Sequence, residues 1–251
     1  MSDEADAVKE FCARLERDVH VNLSRNPIHA EFRGGVLHLT GEVEDIVVKR
    51  RIAHVAAEMF GQEGVQDLIT VSPAQAREDG AIRDSLLRTL LEEPVFRRFG
   101  INVWSKGEMY IERDVRPDSE GHLDLVIDGG VVTLSGEVWS LSHRRMAELI
   151  TWWVPGVRGV INHIAINPPE EDTDDDITDS VRFALDKDPL VVHSSQIRVT
   201  TRDGQVRLEG LVPQPEERQM AEQDVWYLGT EVAEVENLIK VRPVAMEGAG
   251  S

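Results

Sequence analysis

The sequence predicts an α+β protein made of three tandem α-β-β-α-β modules, each with two helices packed on a three-stranded mixed sheet. Three observations predict it: a glycine-bracketed hairpin signature that occurs three times, an apolar helical stripe upstream of each copy, and a closing strand at a near-constant distance downstream.

The signature reads Gly35-Val36-Leu37-His38-Leu39-Thr40-Gly41, then Gly130-Val131-Val132-Thr133-Leu134-Ser135-Gly136, then Gly204-Gln205-Val206-Arg207-Leu208-Glu209-Gly210. Seven residues before each first glycine another alternating run begins: Ile28/Ala30/Phe32, Leu123/Leu125/Ile127 and Ile197/Val199/Thr201. A period of two places alternate side chains on one face of a sheet. Arg33-Gly34-Gly35, Asp128-Gly129-Gly130 and Asp203-Gly204 supply the positive φ angles of tight turns, so each pair of runs is a hairpin.

Upstream, Val8, Phe11, Cys12 and Leu15 recur at helical spacing, as do Ile82, Leu86, Leu87, Leu90 and Leu91, and then Ile177, Val181, Ala184 and Leu185. Pro94 and Pro189 stop the second and third of these helices. Downstream, Arg51-Ile52-Ala53, Arg145-Met146-Ala147 and Gln219-Met220-Ala221 mark a second helix in each copy. The closing strands begin at Val65, Val160 and Val235, which lie 24, 24 and 25 residues after the second hairpin glycine. The modules are expected over 5–73, 80–168 and 175–243, with an inserted hairpin around 100–120 in the second.

Composition narrows the function. Of 251 residues 41% are hydrophobic and only 5% aromatic, which fits several small aliphatic cores better than one large one. The net charge of −19 divides as −5 over 1–76, −3 over 77–168 and −11 over 169–251. Such a surface repels phosphate backbones and anionic headgroups, which argues against nucleic acid as a partner. Cys12 is the lone cysteine, so no internal disulfide forms. No apolar run is long enough to span a bilayer, and the acidic Met1-Ser2-Asp3-Glu4 start is unlike a secretory signal, so a cytoplasmic location is expected.

The Gly-x-Val-x-Leu-x-Gly hairpin, the Arg145-Met146-Ala147 helix and the closing stretch Gly156-Val157-Arg158-Gly159-Val160-Ile161-Asn162-His163-Ile164 resemble the BON domain. The first copy departs from the others in having Asp67 where they have Asn162 and Asn237, and one extra residue before Ala53. The resemblance implies a bacterial, non-enzymatic binding module. Family members serve in envelope stress, secretin-associated and potassium-responsive proteins, and bind phospholipid or other partners. Alternatives for this chain are a small-cation sensor and a self-assembling structural protein.

The candidate contact residues are the bulky side chains at the end of each second helix: Phe60, Trp152 and Trp153, Trp226 and Tyr227. Neighbours on a helix point about 100° apart, so one ring of a pair is expected to cap a core and leave the other near the surface. The bland alternative is that both fill a seam between modules. The linker 170–176 holds six carboxylates and reads either as a cation site or as a solvated spacer whose last acids favour a helix N-terminus. No calcium-loop, histidine-pair or nucleophile-elbow pattern occurs, so no metal, cofactor or catalytic residue is expected. The insert carries Ile101/Val103 and Met109/Ile111 around Ser105-Lys106-Gly107-Glu108 and is rich in arginine. It is expected to extend a sheet edge, to recruit a partner, or to cover the edge.

Overall fold

Two-residue turns with positive φ at both positions join the paired strands of every module. Gly34 and Gly35 stand at +61° and +84°, Gly129 and Gly130 at +57° and +78°, and Asp203 and Gly204 at +50° and +72°. This geometry matches the twist of the strands it joins. The computed structural model describes residues 2–18, 21–170, 173–229 and 232–242. Residues 1–170 form one compact unit and 171–251 another.

The first module runs α1 (Ser2–Leu15), β1 (Ile28–Arg33), β2 (Val36–Val43), α2 (Ile46–Phe60) and β3 (Val65–Val71). The second runs α3 (Asp79–Glu92), β4 (Phe99–Ser105), β5 (Glu108–Arg113), β6 (Gly121–Asp128), β7 (Val131–Val138), α4 (Leu141–Trp153), β8 (Gly159–Asn162) and β9 (Ala165–Ile166). The third, in its own unit, runs α5 (Asp174–Lys187), β10 (Ile197–Arg202), β11 (Gln205–Val212), α6 (Pro215–Tyr227) and β12 (Glu234–Val241). In each, the hairpin is antiparallel and the closing strand pairs parallel to the second hairpin strand, giving the orders β1-β2-β3 and β10-β11-β12.

The second sheet is wider than the three strands expected. Its order is β5-β4-β6-β7-β8, with β9 also on β7. The inserted hairpin supplies the two extra strands, β4 lying parallel to β6.

The second signature glycine has the same neighbour in all three modules. Gly41 pairs with Ile28, Gly136 with Leu123 and Gly210 with Ile197. A β-carbon there would lie 2.6 Å from the Pro27 carbonyl oxygen, 2.2 Å from that of His122 and 2.2 Å from that of Gln196. Any side chain would therefore push the hairpin open. Around this point the aliphatic faces close on the helices. In the first module Phe11, Leu15, Leu37, Leu39, Ile52 and Ile69 form one buried cluster, with Cys12 half-buried against it. The thiol is pushed above its usual pKa by burial and then by Glu16, so it is a core residue.

The closing strand is tied to the second helix through one position. Asn162 accepts the Ile164 N–H at 3.1 Å and donates to the Arg144 carbonyl and to Glu148. Asn237 repeats this with the Ile239 N–H, the Arg218 carbonyl and Glu222. Asp67 keeps the first bond, to the Ile69 N–H at 2.9 Å, but has no amide to donate. The helix compensates: Lys49 donates to Asp67 at 2.6 Å and to the Ile69 carbonyl at 2.7 Å. Burial holds the Lys49 ammonium below its usual pKa, against the opposing pull of Asp67.

Within the first unit β3 and β8 meet, the Val71 N–H donating to the Arg158 carbonyl at 2.7 Å. Arg50 on α2 pairs with buried Glu148 on α4 at 2.5 Å, and Arg158 pairs with Glu42. These contacts join the first two modules.

Replacing Asp67 by Asn should leave the buried Lys49 ammonium without its hydrogen-bonded counter-charge and lower stability by about 3 kcal/mol. Adding Lys49→Met should recover most of that loss. Urea denaturation of the two variants checks both expectations.

Candidate partner-binding surface

The bulky helix-end residues fall into different environments. Trp152 and Trp226 are only 7% and 1% exposed, whereas Trp153 and Tyr227 are half-buried. Phe60 packs edge-on against Phe11 at 6.2 Å and Phe32 at 5.4 Å, on the first module's core. None of these five large side chains stands free of its surroundings.

Two acids of the 170–176 linker, Glu170 and Asp174, serve backbone donors. Glu170 accepts the Leu141 N–H at 2.8 Å, at the start of α4. Thr173 caps α5 by accepting the Asp176 N–H. Asp174 accepts both turn N–H groups of the third hairpin, from Asp203 at 2.8 Å and Gly204 at 3.0 Å. Those two bonds hold its carboxyl below the usual range. Asp79 grips Gly129 and Gly130 in the same way in the second module. Glu171 and Asp172 lie outside the described residues. Among the described residues no group of three or more metal-ligating side chains gathers.

One cluster superficially looks catalytic. Ser140 Oγ lies 2.6 Å from His143 Nδ1, and His143 Nε2 lies 3.9 Å from Glu120. Ser140 is the N-cap of α4, its oxygen accepting the His143 N–H, while Glu120 is held by Arg98 at 2.9 Å. The imidazole packs on Phe99 at 4.9 Å. Burial lowers its pKa, outweighing the nearby Glu120 and Glu170 carboxylates. These contacts make the cluster a helix cap packed on a core.

The second module's sheet is where the surface departs from the shared plan. On the face away from the helices, Met109, Trp104, Val126, Thr133 and Ile161 stand directly opposite one another across five strands. Trp104 is 43% exposed, Met109 46%, Val126 39% and Ile111, beside the row, 56%. The same face of the first sheet carries His29, Glu31 and His38 with Leu68, and that of the third carries Arg198, Thr200 and the Arg207–Glu236 pair with Leu211 and Leu238. Met109, Trp104 and Val126 thus form a run of three exposed apolar side chains on an acidic chain.

The other face of β5 is also uncovered, whereas β4 buries Phe99, Ile101 and Val103. The helix α3 packs over β6, so the sheet runs on past the helical layer. A groove of about 780 Å3 opens there, floored by Leu87, Leu91, Val103 and Tyr110 and rimmed by charged side chains that include Arg88 and Glu112. The hairpin is anchored by Arg113, which donates to the Leu91 carbonyl at 2.8 Å and to the Phe96 carbonyl. Arg98 is likewise engaged, by Glu120 and the Asp118 carbonyl. Much of the insert's positive charge therefore holds the hairpin in place.

Sequence reasoning pointed to the insert but missed Trp104 and Val126. The signal was available in the alternation. Ile101 and Val103 claim one face, which leaves Trp104 on the other, where solvent is expected.

The fold thus defines the class of protein: small two-helix, mixed-sheet modules repeated three times along the chain. The family model for the BON domain matches residues 3–73, 110–168 and 173–243, and the chain belongs to that family. The second match begins beyond α3 because the insertion separates that helix from the rest of its module. No curated protein matches the chain in sequence. Among solved structures it is similar to the C-terminal domain of CdsD, "the structural protein of the Type III secretion system of Chlamydia trachomatis", at 14% identity over 88% of this chain and 93% of that one, with a TM-score of 0.25. A second CdsD structure from Chlamydia trachomatis matches at 14% identity over 91% and 95%, again with a TM-score of 0.25. At that score neither likeness bears on fold or function.

The half-buried His143 should make the first unit sensitive to acid. Its folded pKa lies below the unfolded value of 6.5, so the unfolded chain takes up the proton first. Stability should fall as pH drops from about 6.5 toward the lowered value and then cease to depend on this group. A His143→Phe variant should show a flatter melting-temperature profile over that window.

Proposed function

We propose that this chain is a non-enzymatic, multivalent binding protein that engages protein or phospholipid partners through the surfaces of its modules. Its principal contact surface is the open sheet face of the second module. The exposed row Met109–Trp104–Val126 is the observation that carries this reading. The corresponding faces of the other two sheets are mostly charged and polar, with Leu68 exposed on the first and Leu211 and Leu238 on the third, and neither sets three exposed apolar side chains in one cross-strand row.

The net charge of −19 favours a protein partner or a zwitterionic lipid over an anionic bilayer. Among the described residues no helix is long and apolar enough to cross a membrane. Modules linked in tandem raise avidity, so no single site has to be tight. The displaced titratable groups support a role without catalysis, because Lys49, Glu42, Arg113, His143 and Asp174 each hold a structural contact.

A photo-crosslinking amino acid placed at Trp104 tests this reading in the native cell, with Thr200 as the reference position. A discrete adduct at 104 and none at 200 is expected; no adduct at 104, or the same adducts at both, contradicts it. The double variant Trp104→Ser, Ile111→Ser should keep stability within about 1 kcal/mol, since both side chains are exposed, yet lose the partner. Flotation with phosphatidylcholine vesicles, with and without phosphatidylglycerol, separates lipid from protein as the occupant.

A further inference from the structure

The strand β5 is the free edge of the six-stranded sheet. It is joined to β4 by the two-residue turn Lys106-Gly107, at φ +54° and +82°, with Ser105 opposite Glu108. In such a hairpin the residues flanking the turn are bonded to each other, and bonding then alternates along the ladder. Tyr110 is therefore bonded inward to Val103, while the N–H and C=O groups of Met109 and Ile111 point away from the sheet. Every residue from Glu108 to Ile111 is exposed, and so is Glu112. The edge thus offers two full sets of backbone donors and acceptors, with the apolar row on one side and the Leu87–Leu91–Tyr110 groove on the other.

Charge decides what fits. Glu108 and Glu112 bracket Tyr110 on this edge, and the Tyr110 hydroxyl donates to Glu108 at 3.0 Å. A second copy paired antiparallel about Tyr110 would set Glu108 against its mate's Glu112 at both ends, on chains that each carry −19. Like charges directly opposite are destabilising, so the edge rejects its own kind. A strand with basic residues at those two positions meets both carboxylates, and apolar residues between them meet Met109, Tyr110 and Ile111.

We propose that β5 is a docking edge for an extended segment of a partner protein in which two basic residues flank three apolar ones, added antiparallel to Met109 and Ile111. Main-chain bonds give such strand addition its affinity, and the flanking side chains give it specificity. The inference rests on the second module being the contact surface, and it specifies the mode and the chemistry of the contact.

The test uses the full chain and fluorescein-labelled peptides in anisotropy titrations. The probe is Ser-Lys-Val-Leu-Val-Lys-Ser, and its counterpart has Glu in place of both Lys. The lysine peptide is expected to bind at least about tenfold tighter than the glutamate one. Ile111→Pro should abolish binding, because it removes an outward N–H, whereas Ile111→Val should retain it. Since Ile111 stands opposite Asn102 at a non-bonded position, the proline removes no bond to β4. The double variant Glu108→Lys, Glu112→Lys should invert the preference between the peptides, a result that does not depend on how the proline is tolerated. Equal binding of the two peptides, no binding of either, or an unchanged preference in the charge-reversed variant overturns the proposal. So does a wild-type dimer in sedimentation that Ile111→Pro converts to monomer. Failure here together with a crosslink at position 104 removes strand addition and leaves the contact surface standing.

Discussion

At the second hairpin glycine of each module a carbonyl oxygen crowds the place where a β-carbon would sit. Gly41, Gly136 and Gly210 permit that approach, and the hairpin, the aliphatic face and the parallel closing strand are arranged around it. The constraint is steric and local, so it survives while most of the surrounding sequence changes. It also explains why the glycines are spaced as they are. One makes the turn, and the other, six residues on, sits against the first residue of the partner strand in the first and third modules and against the third residue in the second.

That locality is why so much of the fold was legible. Period-two runs, positive-φ turns and helical stripes are all short-range signals, and the elements they mark stand where the sequence places them. The tie between closing strand and helix was legible only as an oddity, Asp67 in place of Asn. Its explanation lies eighteen residues upstream in Lys49, which supplies the donor that an aspartate lacks. Longer-range features gave no such signal. The Arg50–Glu148 pair joins residues 98 apart, and the placement of β4 beside β6 depends on a parallel pairing that no turn specifies.

The contact surface was half legible. The inserted hairpin was visible in its alternation, but its consequence is a property of the assembled sheet. The sheet outgrows its two helices, leaving one strand uncovered on both faces. The aromatic pairs at the helix ends, conspicuous in sequence, divide as helical spacing expects: Trp152 and Trp226 are buried, Trp153 and Tyr227 half-buried, and Phe60 joins a core. Large rings attract attention in a sequence, whereas exposure depends on how many layers lie over them. On the function proposed, the shared module supplies stability and the departure from it supplies the surface.

Hydrogen exchange along β5, resolved to single amides in the full chain, tests that account most directly. The Met109 and Ile111 amides should exchange quickly, Tyr110 between them markedly slower, and the amides of β6 slower still. Uniform protection from Glu108 to Glu112, comparable to β6, would mean that the edge is already covered and would contradict the account.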